Sequence, residues 1–123
     1  MTRLWPQMNQ EQEIKKRLYE LHAEICQTLS NPKRLEILDL LREGEMSVGE
    51  LASRMGIRVA NLSQHLAILR ERGVVITRRE GVNIYYRVAN PKIIQACMLI
   101  REVLHDQLAE SAELAEAAGG ESG

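Results

Sequence analysis

The 123-residue chain is 45% hydrophobic, with three tyrosines, one tryptophan and no phenylalanine. That supports one domain with an aliphatic Leu, Ile and Val core, a composition suited to packed helices with a small sheet. No apolar run approaches the ~20 residues of a membrane span, and residues 1–12 lack the apolar stretch of a secretory signal. The expectation is a soluble, cytoplasmic protein, in which Cys26 and Cys97 read as thiols and not as a structural disulfide.

The net charge of -1 hides an uneven distribution. Residues 1–53 hold seven basic and nine acidic residues, a balance of -2. Residues 54–87 hold seven arginines against Glu71 and Glu80, a balance of +5, and residues 88–123 fall back to -4. Positive charge concentrated in one stretch is what phosphate contact requires, although a solvated charged face has the same composition.

Taken in order, residues 1–11 read as an N-terminal arm. Residues 12–27 then place Ile14, Leu18, Leu21 and Ile25 on one helical face. Asn31-Pro32 is an N-cap followed by a proline at the first helical position, and predicts a helix over 32–43. That helix should bury Leu35, Leu38 and Leu41 or their neighbours, with Gly44 as its left-handed cap. Ser47-Val-Gly-Glu50 is a capping box that opens a short helix ended by Gly56. After the turn at Gly56-Ile57-Arg58, a helix over 59–72 carries Leu62, Leu66 and Leu69, and Gly73 stops it.

The period then changes to two. Residues 74–79 alternate, 84–88 are strand formers, and Gly81 and Asn83 can make the turn of a hairpin. Asn90-Pro91 repeats the cap-plus-proline signal and opens a last long helix with Ile93, Cys97, Ile100, Leu104 and Leu108 along one side. Residues 12–108 thus form one domain, and 109–123 a helix end and tail, disordered by composition from Ala118 to Gly123. The fold class is mainly α with a small β-hairpin. Two helices joined by a short glycine-containing turn and followed by a hairpin make a winged helix-turn-helix.

A recognition helix keeps one face on the core and turns the other to the major groove. With the three leucines inward, Val59, Ala60, Asn61, Ser63, Gln64 and His65 remain near the outward side, after Arg58. Asn and Gln can bond adenine bidentately, Ser and His can meet bases or phosphates, and small apolar groups can meet a thymine methyl. In the hairpin, Arg78, Arg79, Asn83 and Arg87 can reach phosphates or the minor groove. Charged edges also guard a hairpin against aggregation. Tyr85 and Tyr86 read as packing residues.

Several of these runs resemble the ArsR/SmtB family of bacterial and archaeal repressors. They are Leu29-Ser-Asn-Pro-Lys-Arg-Leu-Glu-Ile-Leu38, Ser47-Val-Gly-Glu-Leu51, Leu62-Ser-Gln-His-Leu66, Leu69-Arg-Glu-Arg-Gly73 and the wing segments Arg78-Arg-Glu-Gly81 and Tyr85-Tyr-Arg87. The resemblance implies a homodimer built on the first and last helices, bound to a palindromic operator in double-stranded DNA and repressing transcription. It makes Ser63, Gln64 and His65 the base- and phosphate-contacting residues. The chain departs from the family at Arg58, Val59 and Ala60, where many members carry small polar residues or Gln.

Family members commonly release DNA on binding a metal, a metalloid or an oxidant. Here the helix after Ser47 has no Cys or His, and the positions matching the zinc site of the last helix hold Asn90, Lys92, Val103 and Asp106. No metal site and no cofactor are therefore expected. A thiol-reactive or metalloid signal at Cys26 and Cys97 is one reading, and a small buried hydrophobe at Cys97 the other. His22 and His105 lie one and two turns from these cysteines, too few ligands for a site. Competing readings are a regulator that senses no ligand and a winged-helix protein–protein module without DNA affinity. An enzyme is not expected, because no phosphate loop, Cys-x-x-Cys or catalytic triad is present.

Overall fold

Local capping chemistry sets most element boundaries. The computed structural model describes residues 9–122, so the first eight residues of the expected N-terminal arm lie outside the described residues. α1 spans Gln10–Thr28 and starts two residues before the expected point. Asn9 and Gln12 form a reciprocal capping box there, with Gln12 N–H donating to Asn9 Oδ1 at 2.8 Å and Asn9 N–H to Gln12 Oε1 at 3.0 Å. α2 spans Pro32–Leu41, where Asn31 Oδ1 accepts from the Lys33 and Arg34 amides. It ends at an αR residue, Arg42, so Gly44 is not its left-handed cap. Gly44 instead adopts φ 148° in the following turn.

β1, Met46–Ser47, is too short to carry a periodic signal and was not expected. Ser47 and Glu50 cap α3, Val48–Met55, and Gly56 at φ 65° closes it. α4 spans Val59–Glu71, followed by Gly73 at φ 74°. β2, Val75–Glu80, and β3, Asn83–Val88, form the wing. Gly81 at φ 62° takes the strained turn position, while Asn83 is a strand residue without positive φ. The three strands are antiparallel in the order β1-β3-β2, with Met46 opposite Tyr86 and Thr77 opposite Tyr86 on its other side.

α5 runs from Pro91 to Ser122. The tail expected to be disordered from Ala118 is therefore helical up to Ser122, and Gly123 lies outside the described residues. Ala and Glu dominate residues 109–118 and are strong helix formers, which carries the helix past its last apolar contact.

The core joins α2, α3, α4, β2 and the start of α5: Ile37, Leu38, Leu41, Leu51, Leu62, Leu66, Leu69, Val75 and Ile94 are all buried. α2 buries Leu38 and Leu41 as expected, but the third core position is Ile37, 0% exposed, and not Leu35, which is 37% exposed. Helix α1 gives this core only its end, where Ile25 and Leu29 pack on it and Thr28 is buried. Its Ile14 and Leu18, like Ile100, Leu104 and Leu108 of α5, are exposed in the single chain.

Leu66 is at the centre of this core, with no exposed surface. Leu66→Ala should lower the unfolding free energy by about 2–5 kcal/mol, measured by urea denaturation followed by circular dichroism.

Candidate nucleic-acid interface

Three leucines fix the rotation of α4. Leu62, Leu66 and Leu69 are each 0% exposed, so the opposite side of the helix must face outward. On that side Val59, Ala60, Asn61, Ser63 and Gln64 are exposed, and His65 is half-buried at the margin. Arg58 occupies the N-cap position without a side-chain cap hydrogen bond. The leading end of α4 thus presents backbone amides, the two side-chain amides of Asn61 and Gln64 and the Ser63 hydroxyl together, all groups able to read base edges or hold phosphates.

The wing has two chemically different faces. Strand alternation and register put Ile76, Arg78 and Glu80 of β2 on one face with their partners Arg87, Tyr85 and Asn83. Val75, Thr77 and Arg79, with Val88, Tyr86 and Ile84, form the other. Arg78 is held in place. Its Nη2 donates to Glu45 Oε1, its Nε to Glu45 Oε2 at 3.2 Å and its Nη1 to Glu80 Oε2 at 2.7 Å. The guanidinium also sits 4.8 Å from the centroid of the Tyr85 ring.

The hydrogen bond from Arg78 holds the Glu45 carboxyl below its ordinary range, with further help from the charges of Arg78 and Arg87. Reciprocally, hydrogen bonds to Glu45 and Glu80 push the Arg78 guanidinium up. Arg78 therefore tethers the wing to the segment before β1. Among the described residues, Arg79 and Arg87 make no ion pair and no side-chain hydrogen bond, and Asn83 is exposed at the start of β3. Glu45 escaped sequence reasoning because it pairs with a residue 33 positions away, and no local pattern marks it. The tyrosines pack as expected: Tyr86 lies against the core and Tyr85 under Arg78.

His65 joins this surface to α2. Burial, then the positive charges of Arg34 and Lys33, hold its imidazole below the ordinary value of 6.5. It is neutral at pH 7, and its Nδ1 is buried without a hydrogen-bond partner.

The two cysteines share a cavity of about 370 Å³ between α1, α2 and α5, which Cys26, Leu38, Asp39, Cys97 and Arg101 help to line. Arg101 bridges α5 to Asp39 of α2 at 2.9 Å across its wall. Burial pushes the Cys97 thiol up, and the charge of Arg101 offsets this only in part. Cys97 is thus a protonated thiol at neutral pH, while Cys26 is exposed. Both cysteines line the cavity, and Cys97 is not activated there as a thiolate. Among the described residues, no three His, Cys, Asp or Glu side chains converge as metal ligands, and no helix is long and apolar enough to cross a membrane.

A helix, turn and recognition helix followed by a two-stranded wing define the winged helix-turn-helix class. Residues 31–77 match the bacterial regulatory protein model of the arsR family. The chain is 43% identical over 100 residues to an HTH-type transcriptional regulator of Mycobacterium tuberculosis, covering 80% of this chain and 88% of that protein. The crystal structure of that regulator superposes with a TM-score of 0.70, over 77% of this chain and 96% of the other. The transcriptional repressor BigR from Xylella fastidiosa is 42% identical, with a TM-score of 0.65 and coverage of 78% and 96%. A homodimeric winged helix-turn-helix DNA-binding domain from Mycobacterium bovis is 32% identical, with a TM-score of 0.72 and coverage of 85% and 94%. The chain belongs to the ArsR family of bacterial transcriptional regulators.

The neutral state of His65 has a consequence for stability. Its folded pKa is below the unfolded value, so the unfolded chain takes up the proton first and stability falls as pH drops below about 6.5. The melting temperature of the wild type should therefore fall more steeply below that pH than that of His65→Gln, as read by differential scanning calorimetry. Parallel pH profiles would show that His65 is not perturbed.

Proposed function

We propose that the chain is a sequence-specific DNA-binding repressor that acts as a homodimer on a palindromic operator. One observation carries the reading: α4 is locked by its buried leucines so that Asn61, Ser63 and Gln64 face outward beside a wing whose Arg79 and Arg87 are unpaired. Gln64 and Asn61 read bases, Ser63 and His65 contact bases or phosphates, and Arg58 with the exposed Val59 and Ala60 lies at the entry of α4 into the major groove. Arg79 and Arg87 contact backbone or minor groove, while Arg78 positions the wing and has little capacity left for a phosphate. A protein–protein module would not need unpaired arginines beside an outward polar helix face.

The dimer reading rests on α1 and α5. Ile14 and Leu18 on one helix and Ile100, Leu104 and Leu108 on the other are more than half exposed in the single chain, a stripe that water should not face alone. Burial of these residues against a second copy pairs two recognition helices about a two-fold axis, and occupancy of such a site by the dimer blocks transcription. The Mycobacterium bovis relative is a homodimer. Leu104→Glu should dissociate the dimer, read as halved mass by light scattering.

The interface assignment is tested by fluorescence anisotropy with DNA from upstream of the protein's own gene. Gln64→Ala should weaken binding by about 1–3 kcal/mol and flatten the discrimination between operator variants. Arg79→Ala should weaken all sequences alike and reduce the salt dependence. An unchanged ranking of operator variants in Gln64→Ala would remove its base-reading role.

A second reading concerns release from DNA. Cys26 and Cys97 line one cavity between the helices that carry the exposed apolar stripe, so modification of this pair by an oxidant or metalloid would alter how α1 and α5 pack and change half-site spacing. Oxidation should lower the affinity of the wild type but not of Cys26→Ser or Cys97→Ser. Equal affinity of the reduced and oxidised wild type leaves a repressor whose occupancy follows its abundance.

A further inference from the structure

Among the described residues, two buried side-chain nitrogens have no hydrogen-bond partner: Nε of Arg34, in the first turn of α2, and Nδ1 of His65, in α4. The two helices pack against each other. The atoms differ in kind, since an arginine Nε–H only donates, whereas an imidazole nitrogen without a hydrogen only accepts. The charges of Arg34 and Lys33 that act on the ring are both positive. A hydrogen on Nδ1 would therefore be a buried donor beside cations, with no acceptor in reach, whereas a bare lone pair is favoured there. The other end of the ring is open. His65 is half-buried, and its Nε2 bonds to no other residue and is not among the buried atoms that lack a partner.

We propose that Arg34 is a positioning residue: it holds His65 in the tautomer with a bare Nδ1 turned inward and a hydrogen on Nε2, so that α4 presents a hydrogen-bond donor to DNA at this position. The inference rests on the DNA-binding reading above and fixes what His65 can meet there. An Nε2–H pairs with an acceptor, which on DNA is a purine N7, guanine O6, thymine O4 or a phosphate oxygen, and is refused by the exocyclic amines of adenine and cytosine. The other tautomer would invert that preference. The hydrogen bond that one ring nitrogen makes decides which nitrogen carries the proton. Arg34 Nε–H serves only the lone pair, directly or through one water. Neither buried atom touches DNA, and Arg34 acts only through the ring.

Ring-nitrogen NMR of the isotope-labelled, DNA-free protein reads the tautomer directly, with His65 assigned by its absence from His65→Ala. Nδ1 should resonate as a bare nitrogen and Nε2 as a protonated one. Arg34→Met should return the neutral ring to a mixture of tautomers, and Arg34→Lys, which keeps the cation, should restore the wild-type signature. If Arg34→Met misfolds, the Arg34 Nε–H resonance decides, because it should move when His65→Ala removes its acceptor. Binding to DNA from upstream of the gene completes a double-mutant cycle. The loss caused by Arg34→Met should be about 2- to 10-fold larger in the wild-type background than in His65→Ala, where the missing charge alone remains. A hydrogen on Nδ1 in the wild type, an unchanged tautomer in Arg34→Met, an unmoved Arg34 resonance in His65→Ala, or equal losses in both backgrounds would overturn the positioning role. A wild type that binds no DNA at any salt would overturn the DNA-binding reading, and the role of the outward donor with it, even where the free protein shows the Nε2–H tautomer.

Discussion

Burial of three leucines on one side of α4 is the constraint on which the remainder of the structure depends. Leu62, Leu66 and Leu69 have no exposed surface, and each touches a core to which α2, α3, β2 and α5 contribute. Rotating α4 by even one residue would expose a leucine at about 1.5–3 kcal/mol and bury an uncompensated polar group in its place. The core thus fixes which side chains reach outward, and the chemistry of Asn61, Ser63 and Gln64 follows from packing behind them. Precise positioning from a rigid scaffold is what base readout needs.

Charge follows the same division between holding and presenting. A chain with net charge -1 can hold a polyanion only if its cations are grouped and left free. Arg78 illustrates the other use of a cation, since Glu45, Glu80 and the Tyr85 ring occupy it and anchor the wing at its base. These are exposed pairs, whose value lies more in orientation than in stability. Arg79, on the opposite face of the same strand, is left for solvent or a ligand.

Much of this was legible in the sequence because it is local. Asn31-Pro32, Ser47 with Glu50, Asn90-Pro91, Gly56 and Gly73 act within a few residues of themselves, and a cap or a left-handed turn needs no distant partner. What escaped depends on contacts across the chain. β1 is two residues that become a strand only because Tyr85 and Tyr86 lie beside them. Leu35 and Ile37 are indistinguishable by hydrophobicity, and the packing of α2 against α3, α4 and β3 decides which faces the core. Alternation alone did not separate the roles of Arg78 and Arg79, because the carboxylate of Glu45 arrives from another segment. The shared cavity of Cys26 and Cys97 likewise exists only once α1, α2 and α5 have met. The length of α5 was underread for a different reason: glycines and a polar composition suggested an end, while the helix propensity of Ala and Glu carried it on.

In the proposed function the exposed apolar faces of α1 and α5 are the link to DNA reading, because a two-fold dimer would turn one recognition helix into a pair with fixed spacing. Hydroxyl-radical footprinting of the protein on its upstream DNA tests that claim most directly. Two protected patches related by a dyad and centred one helical turn apart, ~34–36 Å, or a multiple of it, are expected. A single patch, or protection without two-fold symmetry, would contradict it.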